Sequence, residues 1–426
     1  MRTVHLLRKC DPAEWGGTET AIQRLCVGLR RHEVEVVVYC PQPERSPGEA
    51  GGESVPHPLA ASGATVRHFR AFVPVCGISA AERRRLVAVG GNLMSWGLGR
   101  GLRQEPECAV LHTHSLGRLG GIAAAVARRR SIPLVVTIHG GLLDLPAALK
   151  ASFQRGTRRG FEWGKVFGWC LRSRQLLEQS SAILTCNPRE AALLQARHPD
   201  RLIQVQPHGV PTEDYALDRR AAALAAFPRL AGREVVLAVG RVDPVKNQLW
   251  LVEQLPALRR RHPTALLVLA GPATDATYRQ SLEARIQALG LADHVCLTGG
   301  LPPGDPRLVG LLQTARVLVL PSLSETFGLV ILEAWAAGTA VLCSRTSGAL
   351  ALVRERENGW LFDVAEPHQF HAALDEVLRV PEVARGLAAA GGRLVRAEYD
   401  TTVLAGRLKR LYTQLTEERH ALRPAA

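Results

Sequence analysis

Short runs of apolar residues alternate with amphipathic helical stretches along nearly the whole chain. In the first half, the runs predicted to be strands are residues 4–7, 34–39, 109–112, 134–138, 182–185 and 203–206. In the second half, they are residues 235–239, 265–269, 294–297, 317–320 and 340–343. Strands that alternate with helices form a parallel sheet with helices on both faces. The pattern therefore predicts an α/β protein with two Rossmann-like domains.

The predicted boundary between the domains lies at residues 207–211, where turn residues interrupt the alternation. A chain of 426 residues also exceeds what one hydrophobic core usually supports. We expect a first domain over residues 1–210 and a second over 211–426, with the two sheets facing a central cleft. The helical segment at the C-terminus is able to pack back on the first domain. Residues 46–54, rich in Pro, Gly and Glu, are predicted to form an exposed loop.

Composition narrows the class of protein. A hydrophobic fraction of 46% and a charged fraction of 22% are typical of a globular protein. No apolar run reaches the roughly 18 residues of a membrane span, and a strand begins at once, so we predict a cytoplasmic protein without a signal peptide. The nine cysteines form no C-x-x-C pair, and the histidines show no metal-binding spacing. We therefore predict reduced thiols and no metal site.

The net charge is strongly positive. Lys and Arg exceed Asp and Glu by 14, the pI is near 9.9, and most of the excess lies in the first half. One explanation is an arginine-rich composition spread over solvated helices. The other is an anionic or membrane-linked partner near the first domain, because basic proteins attract phosphorylated substrates and anionic lipid. Nucleic acid is not an expected partner, since aromatic residues are only 5% and no binding motif accompanies the charge.

The clearest candidate site contains Glu325 and Glu333, which lie across the start of one predicted helix directly after the strand 317–320. Glu325 is expected in the loop and Glu333 about two turns into the helix. In parallel α/β sheets, ligands bind beyond the carboxyl ends of the strands, where helix N-termini offer backbone amides. The amides of residues 327–329 are therefore expected to meet hydroxyls or phosphates. The alternative is a solvated helix face with ordinary ion pairs.

Two cations follow the strand 235–239. Arg241 and Lys246 flank the turn before the next predicted helix. A guanidinium grips a diphosphate through two hydrogen bonds, and an ammonium supplies a compact charge, so the pair suits a departing nucleoside diphosphate. An arginine and a lysine in a turn are common. The prediction therefore depends on the glutamates that follow a neighbouring strand.

Further candidates lie in the first half. Gly16 and Gly17 open a helix after the first strand, and glycines let a backbone approach phosphate oxygens there. Their spacing is not the G-x-G-x-x-G dinucleotide fingerprint, and an ordinary turn is the alternative. His139 ends another strand at the carboxyl edge, and His112 and His114 end the strand before it. We expect His139 to face the site, with the other two at its border.

Taken in order, these motifs resemble the retaining, nucleotide-sugar-dependent glycosyltransferases of the GT-B fold, family 4, also called group 1. The resemblance covers nearly the whole chain. It rests on Gly16-Gly17, His139, Gly209-Val210, Gly240-Arg241 with Lys246, Ala270-Gly271-Pro272 and the E-x7-E motif from Glu325 to Glu333. The chain departs from the commonest pattern at His208, where Asn often precedes the glycine.

The resemblance implies a role for each cation and for the first-half residues. Arg241 and Lys246 would bind the donor diphosphate and act on it as it leaves. Gly16 and Gly17 would assist through their backbone. His139 would approach the donor sugar from the first domain and help orient the reacting face.

The resemblance also implies roles for the second-half loop and helix. Glu325 would face the donor sugar as a catalytic residue. The amides of Phe327, Gly328 and Leu329 would hold sugar hydroxyls and phosphate. Glu333 would grip the ribose hydroxyls.

The implied reaction is retaining transfer of a sugar from a nucleoside diphosphate sugar to an acceptor hydroxyl, in cell-surface glycan or glycolipid synthesis. The resemblance implies that no metal takes part, in agreement with the absence of a D-x-D-like motif in a suitable loop, and that no cofactor is needed, because the nucleotide sugar is a substrate. The acceptor would be a glycan, a glycolipid or a small molecule. An epimerase or phosphorylase of the same fold is disfavoured, since no acid–base pair or pyridoxal lysine is found. The remaining alternative is a non-catalytic two-domain protein that binds nucleotide sugars or serves as a scaffold.

Overall fold

The computed structural model describes residues 1–11, 15–42, 57–88, 90, 93–140 and 161–421. The chain forms two compact units. The first comprises Met1–His208 together with Thr401–Ala426, and the second comprises Gly209–Asp400. The predicted loop 46–54 lies outside the described residues.

A parallel sheet forms the centre of the first unit. Its strands and those of a small ribbon are β1 (Arg2–Leu6), β2 (Glu35–Pro41), β3 (Thr65–Phe69), β4 (Val75–Cys76), β5 (Val110–Thr113), β6 (Leu134–Ile138), β7 (Phe161–Glu162), β8 (Ala182–Thr185) and β9 (Ile203–Val205). Seven strands pair in the order β3-β2-β1-β5-β6-β8-β9, and β4 pairs with β7 antiparallel. The central strands are buried on both faces, as parallel strands covered by helices require.

Helices cover both faces of this sheet. They include α1 (Gly17–Arg31), α2 (Pro58–Ala61), α3 (Ala80–Ala88), α4 (Leu98–Gln104), α5 (Gly117–Arg130), α6 (Lys165–Cys170) and α7 (Pro188–Arg197). On one face, Leu98 of α4 and Leu119 of α5 belong to a core with Val4 and Leu6 of β1. Val4 and Leu6 share this face because side chains two residues apart along a strand point the same way.

The second unit repeats the architecture with a smaller sheet. Its strands are β10 (Glu234–Val239), β11 (Ala265–Ala270), β12 (Val295–Gly299), β13 (Val317–Leu320), β14 (Ala340–Ser344) and β15 (Trp360–Phe362). They pair in the order β12-β11-β10-β13-β14-β15. Its helices are α8 (Thr212–Ala216), α9 (Arg220–Ala226), α10 (Gln248–Arg259), α11 (Ala276–Ala288), α12 (Pro306–Thr314), α13 (Leu329–Ala336), α14 (Ser347–Leu352), α15 (Pro367–Arg379) and α16 (Pro381–Leu394).

The last helix, α17 (Thr401–Ala421), belongs to the first unit, where it packs against α1. Leu408 and Tyr412 share a core with Ile22 and Leu29 on the sheet face opposite α4 and α5. The two helices approach closely at Gly28, where a Cβ atom would lie 2.6 Å from the carbonyl oxygen of Thr401. Any larger residue at that position would push α1 and α17 apart.

The two parallel sheets confirm the predicted pair of Rossmann-like domains. The apolar runs do not predict β3 or β15. β3 lies at the sheet edge with only Phe69 buried, so it lacks an apolar run, and β15 has three residues. No helix in the described part of the chain combines the length and the apolar character that crossing a bilayer requires.

Candidate functional site

The loop after β10 carries both predicted cations of the second unit. Arg241 Nη2 lies 3.1 Å from one carboxylate oxygen of Asp243. The other oxygen of Asp243 accepts hydrogen bonds from the amides of Val245 and Lys246, each at 3.0 Å. Asp243 is buried, whereas the side chain of Arg241 is 57% exposed. A buried carboxylate therefore orders the turn and anchors a guanidinium that stays accessible to a ligand.

An ion pair joins this loop to the loop after β13. Lys246 Nζ donates to Glu325 Oε2, and both side chains are largely buried. The amide of Leu323 donates to the carbonyl of Val245 at 2.8 Å, which ties the two loops together. β10 and β13 are neighbours in the sheet, so their carboxyl ends lie side by side. The sheet thus brings together two residues that are far apart along the chain.

The loop that contains Glu325 is hydrogen-bonded to the start of α14. The carbonyl of Glu325 accepts from the Gly348 amide at 2.7 Å and from the Ser347 hydroxyl at 3.1 Å. A Cβ atom at position 348 would lie 2.6 Å from the nitrogen of Phe327 and 2.8 Å from the Glu325 oxygen. Sequence reasoning does not identify Ser347 or Gly348. The available signal is Thr346, a helix-capping residue two positions after β14, whose hydroxyl accepts from the Ala349 amide.

Glu333 lies closer to the start of its helix than expected. α13 begins at Leu329, so Glu333 is its fifth residue, little more than one turn from the start rather than two. Gly328 precedes the helix with φ of +90°, a left-handed conformation that favours glycine. Phe327 is buried, with its ring centroid 6.5 Å from that of Tyr399. The predicted amide row therefore lies at a helix N-terminus, as the chemistry of hydroxyl or phosphate binding requires.

Two glycines let the loops after β10 and β11 cross closely. A Cβ atom on Gly271 would lie 2.0 Å from the carbonyl oxygen of Gly240. Both residues have positive φ, and the Gly240 amide donates to Ala270 at 2.9 Å. This contact gives a physical reason for the Ala270-Gly271-Pro272 motif. A larger side chain would displace the loop that holds Arg241.

In the first unit, the glycine pair begins α1. The Gly16 amide donates to Glu19 Oε2 at 3.0 Å, and the Thr20 hydroxyl donates to the Gly16 carbonyl at 3.0 Å. Gly17 is the first residue of the helix. Lys9 Nζ lies 3.9 Å from Glu19. The amide of Gly16 thus serves an internal cap, and an anion at this helix start would meet the Glu19 carboxylate.

Histidines from three neighbouring strands meet on the sheet face that α17 covers. β1, β5 and β6 lie side by side, and His5 is directly opposite His112. His5 Nδ1 lies 3.0 Å from His114 Nε2, and His114 Nδ1 lies 2.9 Å from His139 Nε2. We call these three residues, His5, His114 and His139, the histidine row. His139, which is half-buried, therefore bonds to the buried His114 and His5 instead of standing alone at a strand end.

His112 lies beside the row and bonds elsewhere. Its Nδ1 is 2.5 Å from the Tyr412 hydroxyl, and its Nε2 is 2.6 Å from the Thr137 hydroxyl. His208 stacks on His139 with ring centroids 5.2 Å apart. His112 and His114 are predicted to border the site, yet both are buried in the first unit.

A sequence signal for the row exists. Polar residues two apart in three strands read Thr3-Val4-His5, His112-Thr113-His114 and Thr137-Ile138-His139. Such spacing places each pair on one face of a strand.

These histidines are neutral at physiological pH. Burial lowers the pKa of His5 to about 3. Burial, and after it the neighbouring imidazoles, hold the pKa of His112, His114 and His139 well below the usual value of 6.5. Each ring therefore carries one proton, with one nitrogen as a donor and the other as an acceptor.

Two groups of side chains in the described residues bring metal-ligand atoms together. They are His5 with His112 and His114, and Cys10 with Cys40 and His57. His57 already has a backbone partner at each nitrogen, since Nδ1 accepts from the Leu59 amide and Nε2 lies 3.2 Å from the Cys10 carbonyl. Spacing along the sequence cannot detect either group, because different strands and loops supply the members.

Comparison with known proteins identifies the family. The model described as Glycosyltransferase Family 4 matches residues 15–214, and the one described as Glycosyl transferases group 1 matches residues 223–393. A D-inositol 3-phosphate glycosyltransferase of Thermobispora bispora is 33% identical over 330 residues, covering 74% of this chain and 72% of the relative. One of Saccharomonospora viridis is 30% identical, covering 89% of this chain and 84% of the relative. Other relatives of that name are matched over 61% to 89% of their length.

The crystal structure of Anabaena Alr3699/HepE in complex with UDP has the same fold, with a TM-score of 0.71 at 17% identity, covering 97% of this chain and all of that one. The chain belongs to the group 1, or family 4, glycosyltransferases and has the GT-B fold. This confirms the prediction of a glycosyltransferase that uses a nucleotide sugar. The non-catalytic binding or scaffold alternative is not favoured.

Proposed function

We propose that the chain transfers a sugar from a uridine diphosphate sugar to an anionic acceptor, with retention of configuration and without a metal ion or cofactor. The observation that carries the proposal is the Lys246–Glu325 pair, which joins the loop that contains Arg241 to the loop after the adjacent strand. The UDP in the HepE structure and the family membership support the donor class. The acceptor hydroxyl attacks from the side on which the diphosphate leaves.

The cations act mainly on the leaving group. Negative charge on the diphosphate grows as the bond to the sugar breaks, so cations fixed in advance lower the barrier. Asp243 holds Arg241, and Glu325 holds Lys246, before any donor is present. Little reorganisation is then needed when the donor binds.

The other predicted residues take roles around the sugar and the ribose. Glu325 faces the donor sugar, and the amides at the start of α13 hold its hydroxyls and phosphate. Glu333 binds the ribose hydroxyls. Gly17 assists at the diphosphate through its backbone. His139 orients the reacting face of the sugar.

The acceptor is proposed to be anionic for two reasons. The relatives are named for D-inositol 3-phosphate, a phosphorylated polyol. Most of the positive charge of this chain also lies in its first half. A membrane-linked glycan would meet the same requirement, and peripheral contact with anionic lipid is part of this proposal.

The donor and the stereochemistry are tested by incubating the protein with UDP-sugars and inositol phosphate, with and without EDTA. We expect UDP release and a product whose anomeric proton in NMR spectra has the donor configuration, both unchanged by EDTA. An inverted product or loss of activity with EDTA would overturn the retaining, metal-independent proposal. Release of UDP without transfer of the sugar to inositol phosphate would overturn the proposed acceptor.

The role of Arg241 is tested against a matched arginine. Arg241→Ala is expected to lower kcat/KM by about 10²-fold or more, because it removes a donor aimed at developing charge. Arg279, which is 58% exposed and pairs with Glu283, is the control in the same unit. Arg279→Ala is expected to leave kcat/KM within about twofold. Equal effects of the two substitutions would remove the proposed role.

Membrane contact is tested by flotation with vesicles of phosphatidylcholine alone or mixed with phosphatidylglycerol. We expect co-flotation only with the anionic vesicles, weakened by added salt because screening reduces surface electrostatics. Absence of binding to either vesicle would contradict peripheral membrane contact. It would leave a soluble phosphorylated acceptor as the substrate.

A further inference from the structure

We propose that Thr3, His5 and His114 are positioning residues that fix the tautomer of His139. The inference rests on the proposed function for the place of His139 at the sugar. It adds to that function a line of buried residues that set which nitrogen of His139 carries its proton. None of these three residues has to touch a substrate for this role.

The number of protons in the histidine row limits how its rings can bond. The two contacts that join the rings, 3.0 Å and 2.9 Å, are hydrogen bonds between ring nitrogens. A neutral imidazole has one N–H, so each ring must donate on one side and accept on the other. All the donations therefore run in one direction, from His139 toward His5 or the reverse. The direction decides the tautomer of His139.

Thr3 sets the direction at the inner end. Its hydroxyl lies 3.4 Å from His5 Nε2 and 3.4 Å from the carbonyl oxygen of Glu35. In the structure the Thr3 hydroxyl donates to Glu35, so its single proton is used there and it accepts from the His5 N–H. The opposite direction would also place an N–H on His139 Nδ1, which has no acceptor among the described residues. His5 Nδ1 then accepts from His114, and His114 Nδ1 accepts from His139. The proton of His139 is thereby placed on Nε2.

The second nitrogen of His139, Nδ1, consequently carries a lone pair. His139 Nδ1 is buried and has no hydrogen-bond partner among the described residues. A bare nitrogen bonds only to a group that brings its own proton. A sugar hydroxyl has one, whereas a fully ionised diphosphate has none. In the proposed function, Nδ1 would be uncovered when the donor binds and would accept from a hydroxyl of the donor sugar or of the acceptor, and it would not support the diphosphate.

The neighbouring polar groups do not set the direction of the hydrogen bonds in the row. His112 uses both of its nitrogens on Tyr412 and Thr137, so it takes no part in the row. His208 contacts His139 by ring stacking. Burial keeps the row neutral, because desolvation lowers the pKa of all three members. An added proton would allow a ring to donate on both sides and would remove the direction.

The tautomer is measured directly by ¹⁵N NMR of histidine-labelled full-length protein, with His139 assigned by the loss of its signals in His139→Gln. Unprotonated and protonated ring nitrogens have well-separated chemical shifts. We expect Nδ1 of His139 at the unprotonated position in the wild type. A protonated Nδ1 in the wild type would overturn the inference without any variant.

Thr3→Val is the decisive variant, because it removes the hydroxyl and keeps the shape of a buried side chain. The His5 N–H then loses its acceptor, so each direction of the row leaves one N–H unpaired, and we expect a mixture of His139 tautomers in which part of the Nδ1 signal moves to the protonated position. Thr3→Ser should keep the wild-type signal. Thr185→Val is the control, since Thr185 is equally buried in the same sheet and donates to Asn187 instead. An unchanged signal in Thr3→Val would overturn the role of Thr3.

Kinetics give a second readout. Thr3→Val is expected to lower kcat/KM by about two- to fivefold, because only part of the protein then has the accepting Nδ1, while Thr185→Val does not. If Thr3→Val fails to fold, His114→Phe breaks the row one bond from His139 and should give a mixture of His139 tautomers. An unchanged single tautomer in His114→Phe would refute the inference. If the tautomers behave as expected but no UDP-sugar is used, the proposed function fails and the inference stands.

Discussion

The two units share one architecture but place opposite chemistry at the carboxyl ends of their central strands. In the first unit, the strand ends carry buried, neutral imidazoles that bond to one another. In the second, they carry an accessible guanidinium and a lysine–glutamate pair. The same α/β scaffold therefore carries neutral, hydrogen-bonded groups at its strand ends in one unit and charged groups in the other.

The supporting contacts differ in the same way. Carboxylates order the cations of the second unit, through Asp243 and Glu325. Hydroxyls order the imidazoles of the first, through Thr3, Thr137 and Tyr412. A charged group tolerates partial exposure, whereas a tautomer is fixed only where water cannot offer an alternative partner. In the second unit Arg241 is exposed and the Lys246–Glu325 pair is partly buried, whereas His5 and His114 of the first unit are fully buried.

The largest contrast is expected when a lysine is removed from each unit. Lys246→Ala should lower kcat/KM by roughly 10²- to 10³-fold, because it removes a preorganised charge at the leaving group. Lys409, which donates to the His32 carbonyl at 2.8 Å, is the first-unit control. Lys409→Ala should change kcat/KM by less than about twofold. Steady-state kinetics with a UDP-sugar measure both, and equal losses would contradict the assignment of charge chemistry to the second unit.

Acidification is expected to destabilise the first unit more than the second. The folded-state pKa of His5 is about 3, below its ordinary value of 6.5, so only the unfolded state takes up this proton between those values. The first unit should therefore lose stability as the pH falls below about 6.5, by up to about 1.4 kcal/mol per pH unit for each such histidine. Urea unfolding from about pH 7 to about pH 5, read by pulsed hydrogen exchange at one fixed pH, measures each unit.

The control for this prediction is His5→Phe, which keeps a buried ring but cannot titrate. Its first unit should show a pH slope smaller by about one proton, whatever its absolute stability. An equal acid response of the two units would contradict the neutral state of the buried histidines.

A smaller effect is expected from a methyl group beside the Glu325 loop. Gly348→Ala places a Cβ atom 2.6 Å from the Phe327 nitrogen, so the loop must move, at a cost of about 1–3 kcal/mol. The KM for the donor should rise as well. Gly386→Ala is the control, because a Cβ atom there meets no atom within 4 Å and the residue lies within α16. Thermal unfolding and kinetics of the two variants should differ clearly, and similar behaviour would argue against a tight loop contact.

The smallest expected difference compares two tyrosine hydroxyls. Tyr412→Phe leaves the buried His112 Nδ1 without a partner and should destabilise the first unit by about 1–2 kcal/mol. Tyr278→Phe removes a hydroxyl that accepts from the half-buried Leu249 amide in the second unit. This change should destabilise the second unit by about 0.5–1 kcal/mol. Urea unfolding gives both values. A larger loss of stability for Tyr278→Phe would show that the hydrogen bonds to the buried imidazoles do not contribute more than those of the second unit.

Much of this contrast can be predicted from sequence, and the reason is local. Long apolar runs identify the central strands, and residues directly after them, such as Arg241, Lys246 and Glu325, follow by position. The roles of Asp243 and Gly348 cannot be predicted in this way, because they depend on contacts between loops. Predicting the histidine row requires the order of strands β1, β5 and β6 in the sheet, which cannot be read from the sequence. β3 escapes prediction because an exposed edge strand has no apolar run.

The composition of the first unit has a consequence for biosynthesis. Its final helix, α17, is translated only after the whole second unit, yet it supplies Tyr412 and the apolar residues that close one sheet face. Until the ribosome has made that helix, the nascent first unit has an exposed apolar sheet face, and His112 lacks its hydrogen bond to Tyr412. The first half to emerge is thus the last to mature, and its dependence on chaperones should exceed that of the later-made half.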